Sequence, residues 1–426
     1  MKKALSLLLT AAMVMGLSVP VMAGDLDGKL VILHTNDIHG HYEVTEEQVG
    51  IAGVAALRDY YEDMGAEVLL IDAGDFSQGT TLVNHDKGMK AVEYLVEADY
   101  DVVSLGNHEF DFGKEAVLDM TAALEAGGVP VLDANILKDG TDEAVFGDNM
   151  IVQKGGLSIG LFGLDTAETQ TKAAPSSVAG MDFVDKEAMF ALAQEQVDEL
   201  KAEGCDYIVA ITHLGVDDES TGRKSTELAA AVEGIDLVID GHSHTEMDGG
   251  VMVGDTMITS TGCYMANVGT VVVDLKTKEE TAELISAAEY AADYAMYDAE
   301  LTEMVAADVE EINAIYEGIP AYLEAFDADD REMTKYVIGT ISNLDTPLTP
   351  SIRGSRGLSA YLSGVTEEMM QQERDQVLDA TQDDIRALAP LVRAVLDTGS
   401  FCVVGNEEKI ESNREMFGTV ENLTRG

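Results

Sequence analysis

The sequence predicts an α/β fold followed by a mainly helical C-terminal segment. Three observations predict it. Short apolar runs rich in Val, Ile and Leu recur from residue 29 to about 275, and polar or glycine-containing loops close them. Stretches with helical spacing separate these runs, and strands alternating with helices build a sheet covered on both faces. After about Lys276 the composition turns Ala-, Glu- and Asp-rich and the strand signal fades.

The clearest strands are residues 30–33, 68–71, 102–105, 207–211 and 237–239. Residues 129–132, 157–164, 257–260 and 270–275 supply more. Residues 51–64, 88–98 and 186–203 have helical spacing. Beyond them, residues 279 to about 325 read as exposed helices, and 345–350 as a Pro-containing loop. Thr366 opens a further helix, with Glu367 and Glu368 in its first turn. Thr381, with Asp384 three residues on, is a capping-box start for another that stops near Gly399. Residues 401–404 read as a lone strand.

The 426 residues suit two domains, and a hydrophobic share of 46% supports a sizeable core. The expected division is a targeting segment at 1–23, a domain at 24–310 and a C-terminal piece at 311–426. Asp and Glu number 79 against 26 Lys and Arg, a net charge of −53. Such a surface repels nucleic-acid polymers and anionic membranes, and it repels free nucleotides too unless a site reverses the sign locally. Cys205, Cys263 and Cys402 are widely spaced and odd in number, so neither a disulfide framework nor a cysteine zinc site is expected.

Lys2 and Lys3 precede an apolar run at residues 4–17, and Val21-Met22-Ala23 offers small residues where a signal peptidase reads. Cleavage after Ala23 and export are expected, to a periplasmic, extracellular or cell-envelope location. No later stretch is long and apolar enough to span a bilayer, so no transmembrane segment is expected.

Five polar clusters are expected just after strands: Asp37-Ile38-His39, Gly74-Asp75, Gly106-Asn107-His108-Glu109, Thr212-His213 and Gly241-His242-Ser243-His244. The carboxyl ends of strands in an α/β sheet converge on one crevice, so residues far apart in sequence can meet there. Carboxylate, imidazole and amide oxygen suit zinc, manganese, iron or magnesium. Two such ions about 3.5–4 Å apart need a bridging carboxylate and further ligands on each side. Singly each cluster is commonplace; five in one order at strand ends are not. His34, His41 and His85 stand outside the clusters and take a structural reading.

In that order the clusters resemble the signature of calcineurin-like metallophosphoesterases. The longer strings, residues 33–40, 72–76 and 106–111, resemble the 5′-nucleotidase branch, which includes nucleotide-sugar hydrolases and 2′,3′-cyclic phosphodiesterases. The resemblance runs from about Lys29 to Ala307 and implies a four-layer α/β/β/α sandwich. It also implies two divalent ions, zinc, manganese or similar. Asp37, His39 and His244 would hold the first, Asn107, His213 and His242 the second, and Asp75 both. His108 would be the catalytic imidazole with Asp111 its partner, and Asn107 and His108 would contact the substrate. Two ions bring plus four; Asp37, Asp75 and a hydroxide leave about plus one, the sign reversal the composition demands.

The branch's nucleoside-gripping domain is not found after the resemblance ends. From about Tyr316 the chain instead resembles the last segment of M16 metallopeptidases of the presequence-protease type, in residues 326–336, 338–342 and 385–392. The inverted His-x-x-Glu-His zinc motif of that family does not occur in the sequence, so peptidase activity is ranked last. The leading expectation is an exported phosphoesterase hydrolysing nucleotide esters by attack of a metal-bound hydroxide. The alternatives are a cyclic-nucleotide phosphodiesterase or broad phosphomonoesterase, and a weak or inert metal-binding fusion product. Oligomeric state is left open.

Overall fold

The computed structural model describes residues 26–344, 350–398 and 414. The expected signal segment, residues 345–349 of the expected loop, Cys402 and the expected strand at 401–404 lie outside the described residues. The chain divides into two compact units at Glu310/Glu311, within the helix Ala299–Glu324.

In chain order the strands are β1 (Lys29–Thr35), β2 (Glu67–Ala73), β3 (Val102–Ser104), β4 (Ile136–Lys138), β5 (Asn149–Lys154), β6 (Leu157–Asp165) and β7 (Met181–Phe183). They continue as β8 (Tyr207–His213), β9 (Leu237–Asp240), β10 (Val251–Val253), β11 (Thr256–Thr259), β12 (Asn267–Asp274) and β13 (Glu280–Ser286). One sheet has the order β13-β12-β1-β2-β3, with β1, β2 and β3 parallel and β12 and β13 antiparallel. The other has the order β10-β11-β9-β8-β6-β5, parallel from β11 to β6 and antiparallel at both edges. β4 and β7 form a separate ribbon.

Period-two alternation decides what each face buries. Leu30, Ile32, Leu69 and Ile71 of one sheet meet Val209, Ile211, Leu237 and Ile239 of the other in one apolar layer. The opposite residues Val31, Leu33, Val68 and Leu70 pack under the helices Ile51–Asp63, Met89–Glu97 and Lys114–Ala126. On the far side, Ile208, Ala210 and Val238 pack under Lys186–Ala202 and Ser225–Ala231. The result is the expected α/β/β/α sandwich. His34 is fully buried in β1 with Nε2 3.3 Å from Thr259 Oγ1 of β11, and burial lowers its pKa to about 3. It is a neutral tie, so its structural reading holds.

Three expectations need correction. Residues 129–132 form no strand, only isolated bridges from Val131 and Leu132, because Pro130 has no N–H to give a ladder. Residues 280–286 form the edge strand β13 and not a helix, since pairing with β12 along seven residues outweighs the helical preference of Ala and Glu. The single helix expected from Thr381 is two, Gln382–Arg386 and Ala389–Thr398, because Pro390 cannot donate back to the preceding turn.

The second unit is helical among its described residues, through the end of Ala299–Glu324, Asp330–Leu344, Pro350–Ser363 and Glu367–Leu378 to that broken pair. Thr366 Oγ1 accepts from Met369 N–H at 3.2 Å, and Thr381 and Asp384 form the expected capping box. Among the described residues no helix is long and apolar enough to cross a membrane.

Candidate metal centre

All five clusters gather at the carboxyl ends of β1, β2, β3, β8 and β9, where both sheets open on the same end of the sandwich. Four follow their strands; Thr212 and His213 are the last residues of β8 itself. Asp37, His39, Asp75, His242 and His244 all adopt left-handed φ, between 49° and 76°. Non-glycine residues occupy that region at a cost, which other interactions must sustain. Here backbone bonds do so: Asp37 N–H donates to Gly74 O, and His39 N–H to Asp75 O, each at 2.9 Å.

Two groups of side chains are close enough to hold a metal ion each: Asp37, His39 and His244, and Asp37, Asp75 and His213. Asp37 Oδ1 lies 3.3 Å from His244 Nε2 and 3.9 Å from both His39 Nε2 and His213 Nε2. Asp75 Oδ2 lies 3.0 Å from His213 Nε2 and 3.7 Å from His39 Nε2. Asp75 thus faces one imidazole of each expected set. His242 Nδ1 lies 2.8 Å from Asn107 Oδ1, and His242 N–H donates to Asp37 Oδ2 at 3.0 Å. His108 Nδ1 and Asp111 Oδ2 are 2.7 Å apart. The nine candidate site residues are therefore brought together at this one end, with Asn107, His108, Asp111 and His242 outside the two tightest groups.

The donors suit divalent ions. His213 Nδ1 lies 2.7 Å from Ala73 O and His39 Nδ1 3.0 Å from Gln78 O. A carbonyl only accepts, so each ring donates from Nδ1 and turns Nε2 toward the carboxylates, where it can hold either a proton or an ion. His213 Nε2 is buried without a hydrogen-bond partner. Electrostatics point the same way. Burial disfavours a proton on His213, but Asp75 and Asp37 outweigh it and raise its pKa well above the usual value. The hydrogen bond to Asp37, then the contact with Cys263, raises His244 to about 10. Burial and the neighbouring His213 lower His242 to about 4. The carboxylates call for positive charge, which either protons or metal ions can supply.

Gly106 and Gly241 keep the walls close. A methyl at Gly106 would collide with the Asp75 carboxylate and approach His213 Cε1 to 2.8 Å; one at Gly241 would meet His213 Nδ1 at 2.7 Å. A cavity of about 260 Å³ opens above, lined by Asp75, Asn107, His108, Asp111, Lys172, Ala173, His242 and His244.

Some participants carry roles that the sequence strings do not reveal. Glu109 is fully buried and accepts from the N–H groups of Asp75, Ser77 and Gly106 at 2.7–2.9 Å, tying two ligand loops together. It sits inside the Gly-Asn-His-Glu string, but nothing in the spacing shows that its side chain turns inward. Asp72 and Asp240 do similar work, accepting from Gly74 N–H and Thr35 Oγ1, and from Leu214 N–H and Thr212 Oγ1. Tyr264 lies with its ring 5.7 Å from His39 and 5.6 Å from His244. The remaining histidines are peripheral: His41 meets Gln48 and the Tyr264 ring, and His85 the Thr81 carbonyl.

Comparison with known families agrees with this arrangement. The calcineurin-like phosphoesterase model matches residues 30–246, half of the chain. The chain belongs to that family. Among relatives of this chain, the 5′-nucleotidase of Diplobatis ommata is 36% identical over 231 residues, 51% of this chain and 38% of that protein. The 5′-nucleotidase precursor of Thermus thermophilus superposes with a TM-score of 0.54 at 25% identity, over 67% of this chain and 59% of that one. The C-terminal part of the chain is similar to the PreP C-terminal domain over residues 289–407, beginning before the expected Tyr316. Protein HypA of Clostridium perfringens is 41% identical over 110 residues, 26% of this chain and 11% of that protein. The chain spans about two fifths or less of the curated relatives it matches.

Proposed function

We propose that this chain is a two-metal phosphoesterase hydrolysing nucleotide phosphate esters. The observation that carries the reading is the orientation of two imidazoles. His39 and His213 each spend Nδ1–H on a backbone carbonyl and turn Nε2 toward Asp37 and Asp75. Asp37, His39 and His244 would hold one ion, Asn107, His213 and His242 the other, with Asp75 shared. Such ions would supply hydroxide near neutral pH and positive charge for the phosphoryl oxygens.

The remaining work falls to the chain's own groups. His108 Nδ1–H donates to Asp111, which leaves Nε2 free toward the cavity. Burial works against a charge on His108, but Asp75 and then Asp111 raise its pKa. Its Nε2 can therefore hold a proton near neutral pH and pass it to the departing ester oxygen. Asn107 lines the same wall and orients the phosphoryl group.

One observation favours a broader phosphomonoesterase reading. Among the described residues the cavity lining includes no Phe or Tyr and no Arg, so this wall offers little to grip a nucleoside. The test is phosphate release from AMP and from a small aryl phosphate, with manganese or zinc added. Release from both supports the nucleotide reading. Release from the aryl ester alone supports the broader one. No release from protein carrying two ions overturns both in favour of an inert metal-binding protein.

Export is part of the same reading, supported by Lys2, Lys3 and the apolar run before Val21-Met22-Ala23. N-terminal sequencing of the mature protein should begin at Gly24; a mature chain that keeps residues 2–23 overturns it.

A further inference from the structure

Glu168 belongs to no motif, yet the structure invests three charged groups in holding it still. It follows β6 at the head of the short helix Thr169–Lys172. Oε1 accepts from Arg223 Nη1 at 2.9 Å, and Oε2 pairs with Lys172 Nζ at 2.6 Å. Arg223 is itself clamped by Asp185 through Nε and Nη2, at 2.9 and 2.8 Å. The carboxylate so fixed faces His242 Nε2 at 3.6 Å, with the two side chains 11% and 13% exposed. That gap is just outside hydrogen-bond reach, and a small side-chain rotation closes it.

The other edge of the His242 ring meets a second acceptor. Nδ1 lies 2.8 Å from Asn107 Oδ1. A neutral imidazole has one N–H to give, so one edge must go without. The ionised carboxylate attracts the proton more strongly than a neutral amide does. As it stands, the 2.8 Å contact of Nδ1 with Asn107 Oδ1 is a hydrogen bond; an ion taken up by Nδ1 and Asn107 Oδ1 would move the ring proton to Nε2, the edge that the Glu168 carboxylate faces.

We infer that Glu168 is a positioning residue for the metal centre, selecting the Nε2–H tautomer of His242 so that Nδ1 and Asn107 Oδ1 converge on one ion. The inference rests on the two-metal reading above. Arg223 and Lys172 keep the carboxylate charged and aimed. Carboxylates that hold the far N–H of a metal-binding imidazole typically strengthen metal affinity by about 10–100-fold.

The test is calorimetric titration of the metal-free full-length chain with manganese alone, for wild type, Glu168→Gln and Asp185→Ala. Glutamine can donate as well as accept, so it no longer selects the tautomer. Glu168→Gln should weaken one of two sites by about 10–100-fold and leave the other unchanged. Asp185→Ala loosens Arg223 without removing the Glu168 carboxylate, and should weaken the same site by clearly less than Glu168→Gln does. Equal affinities in Glu168→Gln and wild type, or an equal loss in Asp185→Ala, overturn the inference while the two-metal reading stands. A wild type that takes up fewer than two ions overturns that reading and this inference with it.

Discussion

Asp75→Asn should strip metal from the centre and slow phosphate-ester hydrolysis by at least ~10³-fold, the upper range for losing one electrostatic group aimed at a transition state. The geometry makes Asp75 the hardest residue to replace. One oxygen faces His213 Nε2 at 3.0 Å and His39 Nε2 at 3.7 Å, and the other accepts the His108 N–H at 2.8 Å. Burial pushes the carboxyl toward protonation, but His213, His39 and His108 outweigh it and hold its pKa below the usual carboxylate range. Asp75 therefore stays charged in a place where charge is costly, and that charge is what an amide cannot offer. Asparagine preserves nearly everything else. It tolerates the left-handed φ of 59° at this position, and the backbone bond from residue 75 to Glu109 is untouched. A loss of function should thus come without a loss of fold. Elemental analysis, far-ultraviolet circular dichroism and the rate on an aryl phosphate check it together. A folded variant that keeps two ions and a rate within about tenfold of wild type would remove Asp75 from the bridging position.

How much of this was legible in the sequence depends on whether a residue's partners lie near it in the chain. The central strands were readable because each is buried on both faces and so runs continuously apolar, as in Leu30–Ile32 or Val209–Ile211. The site is readable because the candidate ligands sit at strand ends, where a short polar string interrupts an apolar run. What stayed hidden has distant partners. β13 looks helical alone and becomes a strand only because β12 offers an edge. Glu168 follows Asp165 in an ordinary polar loop, and its worth appears only when Arg223 and His242 arrive from far along the chain. Pro130 and Pro390 are visible in the sequence, but the apolar residues around them mask their power to end an element.

The C-terminal unit was legible in a different way. Its local capping signals were sound, since Thr366 and Thr381 each complete a cap within three residues. Its packing was not. Tyr361, Leu362, Leu358 and Leu391 are 60–82% exposed, a pattern no amphipathic periodicity announces. Similarity to the PreP C-terminal domain accounts for the helices without supplying a chemistry for them, because among the described residues the clustered candidate ligands belong to the first unit.

His108→Gln should lower kcat by about 10²–10⁴-fold while leaving the metal content unchanged, the signature of a lost proton donor and not of a lost ligand. The separation is possible because only the backbone N–H of residue 108 touches Asp75, and every residue but proline keeps that bond. The imidazole itself points at the cavity and leans on Asp111. Asp111→Asn then predicts a shift with a definite sign. The neighbouring carboxylates raise the His108 pKa, so the protonated, active form persists to higher pH than a free imidazole would allow. Activity is present below that raised pKa and is lost as pH rises through it. Bound metal ions offset the pull of Asp75, which leaves Asp111 as the partner that matters in the loaded enzyme. Removing its charge lowers the pKa, so the alkaline fall in rate moves to lower pH. Rates on an aryl phosphate across the neutral and alkaline range read this directly. An alkaline limb that stays in place in Asp111→Asn would assign the proton donor to another group.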